Sequence, residues 1–246
     1  MQPDDALDKV RKLLATAESD GLTDEARESY NLKAAELIAR YGIDRARLEA
    51  RQEQPATASD IRITVDAPYA LDKLDLLCSI ARPLGCRIVS SKSTKPGRPG
   101  QEAHLFGMAA DLDRTQVLFT SLLVQATFGL AAARVPTYED PRAFRRSWLL
   151  GFSAAVHKRL TATEAAARAR AADEDATHTG LSTALVLADR ATLVQRHLTT
   201  TYPHLRKGRS RQLTGSGGRD GYRAGERADL GGTRLTPNQR RAALSS

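Results

Sequence analysis

Apolar residues recur at helical spacing from the start of the chain. Leu7, Val10, Leu13, Leu14 and Ala17 fall on one face, which predicts a helix. Asp20-Gly21 interrupts the pattern, Thr23 can cap a second helix, and Asp24 and Glu25 suit its positive end. The second helix would carry Ala26, Tyr30, Ala34, Leu37, Ile38 and Tyr41 on one face and stop at Gly42, with Ile43 folding back onto its last turn. Two short helices cannot enclose a core, so this hairpin is expected to pack on another surface, either the chain's own or a partner's.

Beyond the polar linker EARQEQPATASD the texture changes. Ile61 to Val65 alternates as a strand, and a helix over 69–82 would put Leu71, Leu74, Leu77, Cys78 and Ala81 on one face until Pro83 and Gly85 end it. Arg87–Ser90 and Ala103–Phe106 read as two strands of a long hairpin, with Lys92, Lys95 and Arg98 in the connection. Helices are predicted from about Ala109 to Ala133 and from about Pro141 to Ala172, the latter opening with a proline suited to a first turn. Ala184–Leu187 reads as a short strand before a helix to about Thr200, or as part of one helix from Thr183. The fold class is therefore α+β: a helical hairpin over 1–50, then a core over 60–202 with a small, mostly antiparallel sheet packed by long helices. Residues 203–246 read as a flexible, basic Gly/Arg-rich tail with one short helix around Asp220 to Ala228.

The stretches LDKVRKLLATAES and AAELIARYGID resemble the N-terminal module of the proteins grouped as domain of unknown function 2786. HLFGMAADLDRTQVLFTSLLVQA and FRRSWLLGFSAAVHKRL resemble the region that often follows it. The resemblance implies a bacterial or phage setting. It implies no activity, cofactor or catalytic residue.

Composition narrows the partners. The 5% aromatic content and recurrent alanine and leucine suit helix-on-helix packing. The polar, acidic start lacks a secretory signal, and no uninterrupted apolar run spans a bilayer, so the expectation is a cytoplasmic protein without a membrane partner. Cys78 and Cys86 form no C-x-x-C pair and read as reduced, structural thiols. From His204 onward ten Lys or Arg face three acids, a net +7 of the total +8. Positive charge belongs to the C-terminal segment.

Candidate chemistry is sparse. GSGGRDGYRAGERADLGG holds seven glycines in its eighteen residues, but Asp220 stands at the sixth place of G-x-G-x-x-G and no G-K-[ST] follows, so a phosphate-cradling cofactor loop is not expected. Gly221, Ala224 and Gly225 suit a short helix lying close against another surface, and Gly151 with Ala155 offers such a surface. Phe144 and Trp148 share that helix's core face, with Arg145 and Arg146 pointing elsewhere. Arg206, Lys207, Arg209, Arg211, Arg219 and Arg223 are the candidate nucleic-acid-binding residues, acting on the phosphate backbone without sequence selectivity. The alternative is a tail that only solubilises, with the hairpin as a protein-docking adaptor. An enzyme is the lesser expectation, with His104, Asp111 and Asp113 as its suspects. Zinc on Cys78, Cys86 and His104 lacks ligand spacing, and Asp72 and Asp75 read as solvated, so no metal, cofactor or catalytic group is assigned.

Overall fold

The computed structural model describes residues 24–50, 56–93, 99–176, 182–206, 211 and 213–230. The first helix of the expected hairpin, its turn at Asp20-Gly21, the Thr23 cap, Lys95, Arg98, Lys207 and Arg209 lie outside them.

The elements in order are α1 (Asp24–Ala50), β1 (Ser59–Asp66), α2 (Ala70–Ala81), β2 (Arg87–Lys92), β3 (Gly100–Gly107), α3 (Ala109–Ala132), α4 (Pro141–Ala176), α5 (Thr183–Thr201) and α6 (Gly218–Arg227). The architecture is α+β. β3 lies between β1 and β2 and is antiparallel to both, with Ile61 and Ile88 each opposite Leu105, and Arg62 and Val89 each opposite His104. Because strand side chains alternate, this register sorts the sheet into two faces. Ile61, Ile63, Val65, Ile88, Ala103 and Leu105 join the main core with α2, α3 and α4. Phe106 and Val89 face the other way, packed under Val194, Leu198 and Tyr202 of α5 and its end.

Of the two readings of Ala184–Leu187, the structure has the continuous helix from Thr183 and not the strand: buried positions Val186, Arg190, Val194 and Leu198 of α5 recur every four residues, while Leu185 is exposed. Two other sequence expectations change. On α2, Leu74, Leu77 and Ala81 face inward as expected, but Leu71 is exposed and Asp72 is only 3% exposed. The stripe is rotated because arginines from α4 and residue 211 reach Asp72. Gly42 does not stop α1, which continues through it to Ala50. Its lack of a side chain matters differently: a Cβ there would fall 2.0 Å from Arg114 Nη1.

Arg114 is the most deeply buried member of a chain of alternating charge. Arg45 pairs with Glu49 (3.6 Å), Glu49 with Arg190 (3.7 Å), Arg190 with Asp111 (3.2 Å), Asp111 with Arg114 (3.6 Å), and Arg114 with Glu164 (3.1 Å). Burial by itself would lower the Arg114 pKa, but Glu164 and Asp111 outweigh it and the guanidinium is held above its usual value. Arg114 also donates to the Ile38 carbonyl of α1 at 3.0 Å. One side chain thus links α1, α3 and α4, and Arg190 brings in α5. A second tie is Arg47 of α1, which meets Asp175 at 2.7 Å and Glu174 at 2.9 Å near the end of α4. Asp175 also accepts the Thr183 backbone N–H at 2.6 Å and so caps α5 from a distance.

α3 is long and apolar enough by composition to cross a membrane. Here it carries Leu112, Leu118, Phe119 and Leu122 into the core together with the buried Arg114.

Arg114→Met should cost about 3–5 kcal/mol in urea denaturation, because Glu164 is left buried without a counter-charge. Arg114→Met/Glu164→Leu should recover most of that loss. A single variant as stable as the parent would remove the network from its structural role.

Candidate nucleic-acid interface

Helix α6 is built against propensity. Each interior glycine disfavours a helix by about 1 kcal/mol relative to alanine, so packing must hold it. Gly218, Gly221 and Gly225 form one edge, and that edge rests on the backbone of α4. A Cβ on Gly221 would lie 1.8 Å from the Trp148 carbonyl oxygen, one on Gly225 2.6 Å from that of Phe152, and one on Gly151 2.0 Å from that of Gly218. Only glycine allows this approach. Beneath it, Phe144, Trp148 and Phe152 are buried as the spacing predicts, with the Trp148 and Phe152 rings stacked at 5.5 Å.

The flanks are tied as well. Glu139 accepts the Ser216 N–H at 2.7 Å before α6, and Arg159 donates to the carbonyls of Gly225 (2.9 Å) and Ala228 at its end. Gln125 then exchanges two hydrogen bonds with the Asp229 backbone, at 2.7 and 2.8 Å. Ala228 and Leu230 are buried. Over 213–230, therefore, the glycine-rich segment is a packed strap and not a loose chain. Residues 231–246 lie outside the described residues.

With its glycine edge buried, α6 presents Arg219, Arg223 and Arg227 to solvent, spaced four residues apart over about 12 Å of helix. None of the three has an ion pair among the described residues, and the exposed acids Asp220 and Glu226 flank the row. Arg206 is exposed too. Arg211 differs from Arg206, Arg219 and Arg223: it pairs with Asp72 at 2.9 Å and with Asp75, and donates to the Leu71 carbonyl. Its charge is spent on anchoring the strap. The same contacts correct the solvated reading of Asp72, which Arg146 also approaches at 3.4 Å.

The suspects for catalysis are separated. Asp111 sits in the buried charge chain and Asp113 is exposed on the helix surface. His104 points to the opposite face of the sheet, where a cluster missed from the sequence assembles. Asp60 accepts from His104 Nε2 and His197 Nε2, both at 2.7 Å, while His104 Nδ1 meets the Tyr202 hydroxyl at 2.9 Å. The only signal for it was that a strand and a helix end each carried one histidine, which spacing could not bring together. Hydrogen bonds from His104 and then His197 hold the Asp60 carboxyl below its usual range. The cluster fastens the end of α5 to β1 and β3.

Among the described residues no group of His, Cys, Asp and Glu could hold a metal ion. Cys78 and Cys86 are free thiols. Burial pushes Cys86 up to about 12 even though it contacts the Thr115 hydroxyl, which makes it a poor nucleophile.

Residues 5–45 match the family described as protein of unknown function (DUF2786). The recognition made on LDKVRKLLATAES and AAELIARYGID stands on that match. It ends within α1 and does not extend over the following region. Searches of curated proteins and of solved structures return no match. The face of α1 bearing Ile38, Ala39, Tyr41, Ile43 and Ala46 is buried on the chain's own core, so this part of the matched module is docked internally.

Gly221→Ala should lower stability by about 2 kcal/mol, a fall in Tm of about 4–8 °C, or release α6 locally. Thermal denaturation read with protease cleavage between 211 and 230 covers both cases, and an unchanged pair of readings would contradict the backbone contact. The Asp60 pKa is lowered on folding, so its contribution to stability is present above 3.8, the usual value, and is lost as pH falls through the lower folded value. Tm measured for the parent and Asp60→Asn should therefore differ at pH 5 and converge toward pH 2. A gap that widens on acidification would reverse this sign.

Proposed function

We propose that the protein is a non-catalytic binder of nucleic acid that grips the phosphate backbone without sequence preference, in the bacterial or phage setting that the family resemblance implies. The observation carrying this reading is the two-sidedness of α6. Its glycine edge is pinned to α4 along the whole helix, which leaves Arg219, Arg223 and Arg227 outward with no carboxylate within 4.0 Å among the described residues, Asp220 and Glu226 lying at their flanks. A row of guanidinium groups on a rigid support can meet successive phosphates and release their counterions. Arg206 adds an exposed cation, and Lys207 and Arg209 add charge in the sequence beside it. The reading against an enzyme is supported by the fate of its suspects, since Asp111 and His104 are both held in structural pairs. The adaptor reading is less favoured because the inward face of α1 is occupied by the core.

The decisive measurement is fluorescence anisotropy of a short duplex across a salt series, comparing the full chain with Arg219→Gln/Arg223→Gln/Arg227→Gln. Loss of three phosphate contacts should weaken binding and reduce the slope of log K against log salt by about 2–3. Point variants are preferable to truncation, which would strip a packed helix from α4. An unchanged slope, or no binding by the parent, would defeat the proposal.

A further inference from the structure

A second basic feature lies away from α6, in a cavity of about 470 Å³. Its walls come from Gly42 and Ile43 of α1, the α2–β2 connection with Arg87 at the start of β2, α4, the first turns of α3, and α5 from Thr183 to Val194. On its floor are Arg114, Asp111, Glu164 and Arg190, which already neutralise one another within the alternating charge chain. Around them stand Arg82, Arg87 and Arg168, all exposed. None has a carboxylate within 4.0 Å among the described residues. Arg168 donates to the Pro83 carbonyl at 3.4 Å, and the field of Arg82 reaches Asp75, which Arg211 already holds. The lining acids are Asp111 and Glu164, both committed to the floor, so the three rim arginines carry an uncompensated charge toward the cavity.

Two further features bear on what could enter. Met108 precedes α3 without a side-chain cap, and Asp111 in the first turn is the acid at that positive end, so this helix terminus adds no free positive charge to the wall. Leu84, Leu187 and Val194 supply apolar surface beside the arginines. The buried Arg190 Nε and Arg114 Nε have no hydrogen-bond partner, so the floor holds its guanidiniums with less than their full complement of acceptors. Size, an apolar wall and an arginine rim together match a small organic anion.

We propose that this cavity is a binding site for a small organic phosphate, with Arg87 and Arg168 taking the phosphate groups at the rim and the apolar wall taking the organic part. The site is independent of the α6 surface and does not rest on the nucleic-acid reading. The test is isothermal titration calorimetry on the full chain at 150 mM salt with two probes, ATP and inorganic pyrophosphate. Saturable binding is expected, tighter for ATP because pyrophosphate leaves the apolar wall unused. Arg87→Gln/Arg168→Gln changes only exposed side chains and should weaken both probes about tenfold or more, whereas the Arg219/Arg223/Arg227 triple variant should leave them unchanged. The proposal is overturned if neither probe saturates, if the double variant binds as the parent does, or if the triple variant removes the binding instead.

Discussion

A guanidinium taken out of water must be paired, and the way Arg114 is paired organises this protein. Only 2% of its side chain is exposed, so the Coulomb attraction of Glu164 and Asp111 must offset a large desolvation cost. Those partners come from α4 and from the preceding turn of α3. The backbone of α1 completes the arrangement by accepting from Arg114 at Ile38. Gly42 is the geometric condition: any side chain there would occupy the guanidinium's place. The end of the family-matched module and the body of the protein are therefore joined by a charge that neither could bury alone.

The packing of α6 on α4 uses a different constraint. Helix α6 has almost no apolar side chains to bury, and it stays in place by letting its backbone approach that of α4. Dispersion and carbonyl contacts at that distance replace a hydrophobic stripe. The consequence is functional: a helix held by its backbone edge can devote its other face to charge. A helix anchored by leucines would need that width for packing.

These two devices place the basic groups in separate classes. Arg114, Arg190, Arg47 and Arg211 are consumed in holding elements together. Arg219, Arg223 and Arg227 on α6, and Arg87 and Arg168 at the cavity, have no carboxylate partner within 4.0 Å among the described residues. Formal charge alone treats them alike.

Sequence periodicity determined most of the elements, because helices α3 and α4 and the strands β1, β2 and β3 carry patterns that need only local geometry to be read. It also determined the buried aromatic face of α4 and the close-packing glycines of α6, since spacing fixes which residues share a face. What it could not decide was the use of polar groups. Asp72 read as solvated until Arg211 and Arg146 reached it, Gly42 read as a stop until Arg114 filled its space, and Ala184–Leu187 fitted either a strand or a helix until the docking of α5 decided for the helix. His104, Asp60 and His197 had no common motif, as the strand pairing and the docking of α5 alone bring them together. Apolar burial leaves a periodic trace along the chain, whereas a charge pair between distant residues leaves none, because its partner is chosen by the folded arrangement and not by neighbours in sequence.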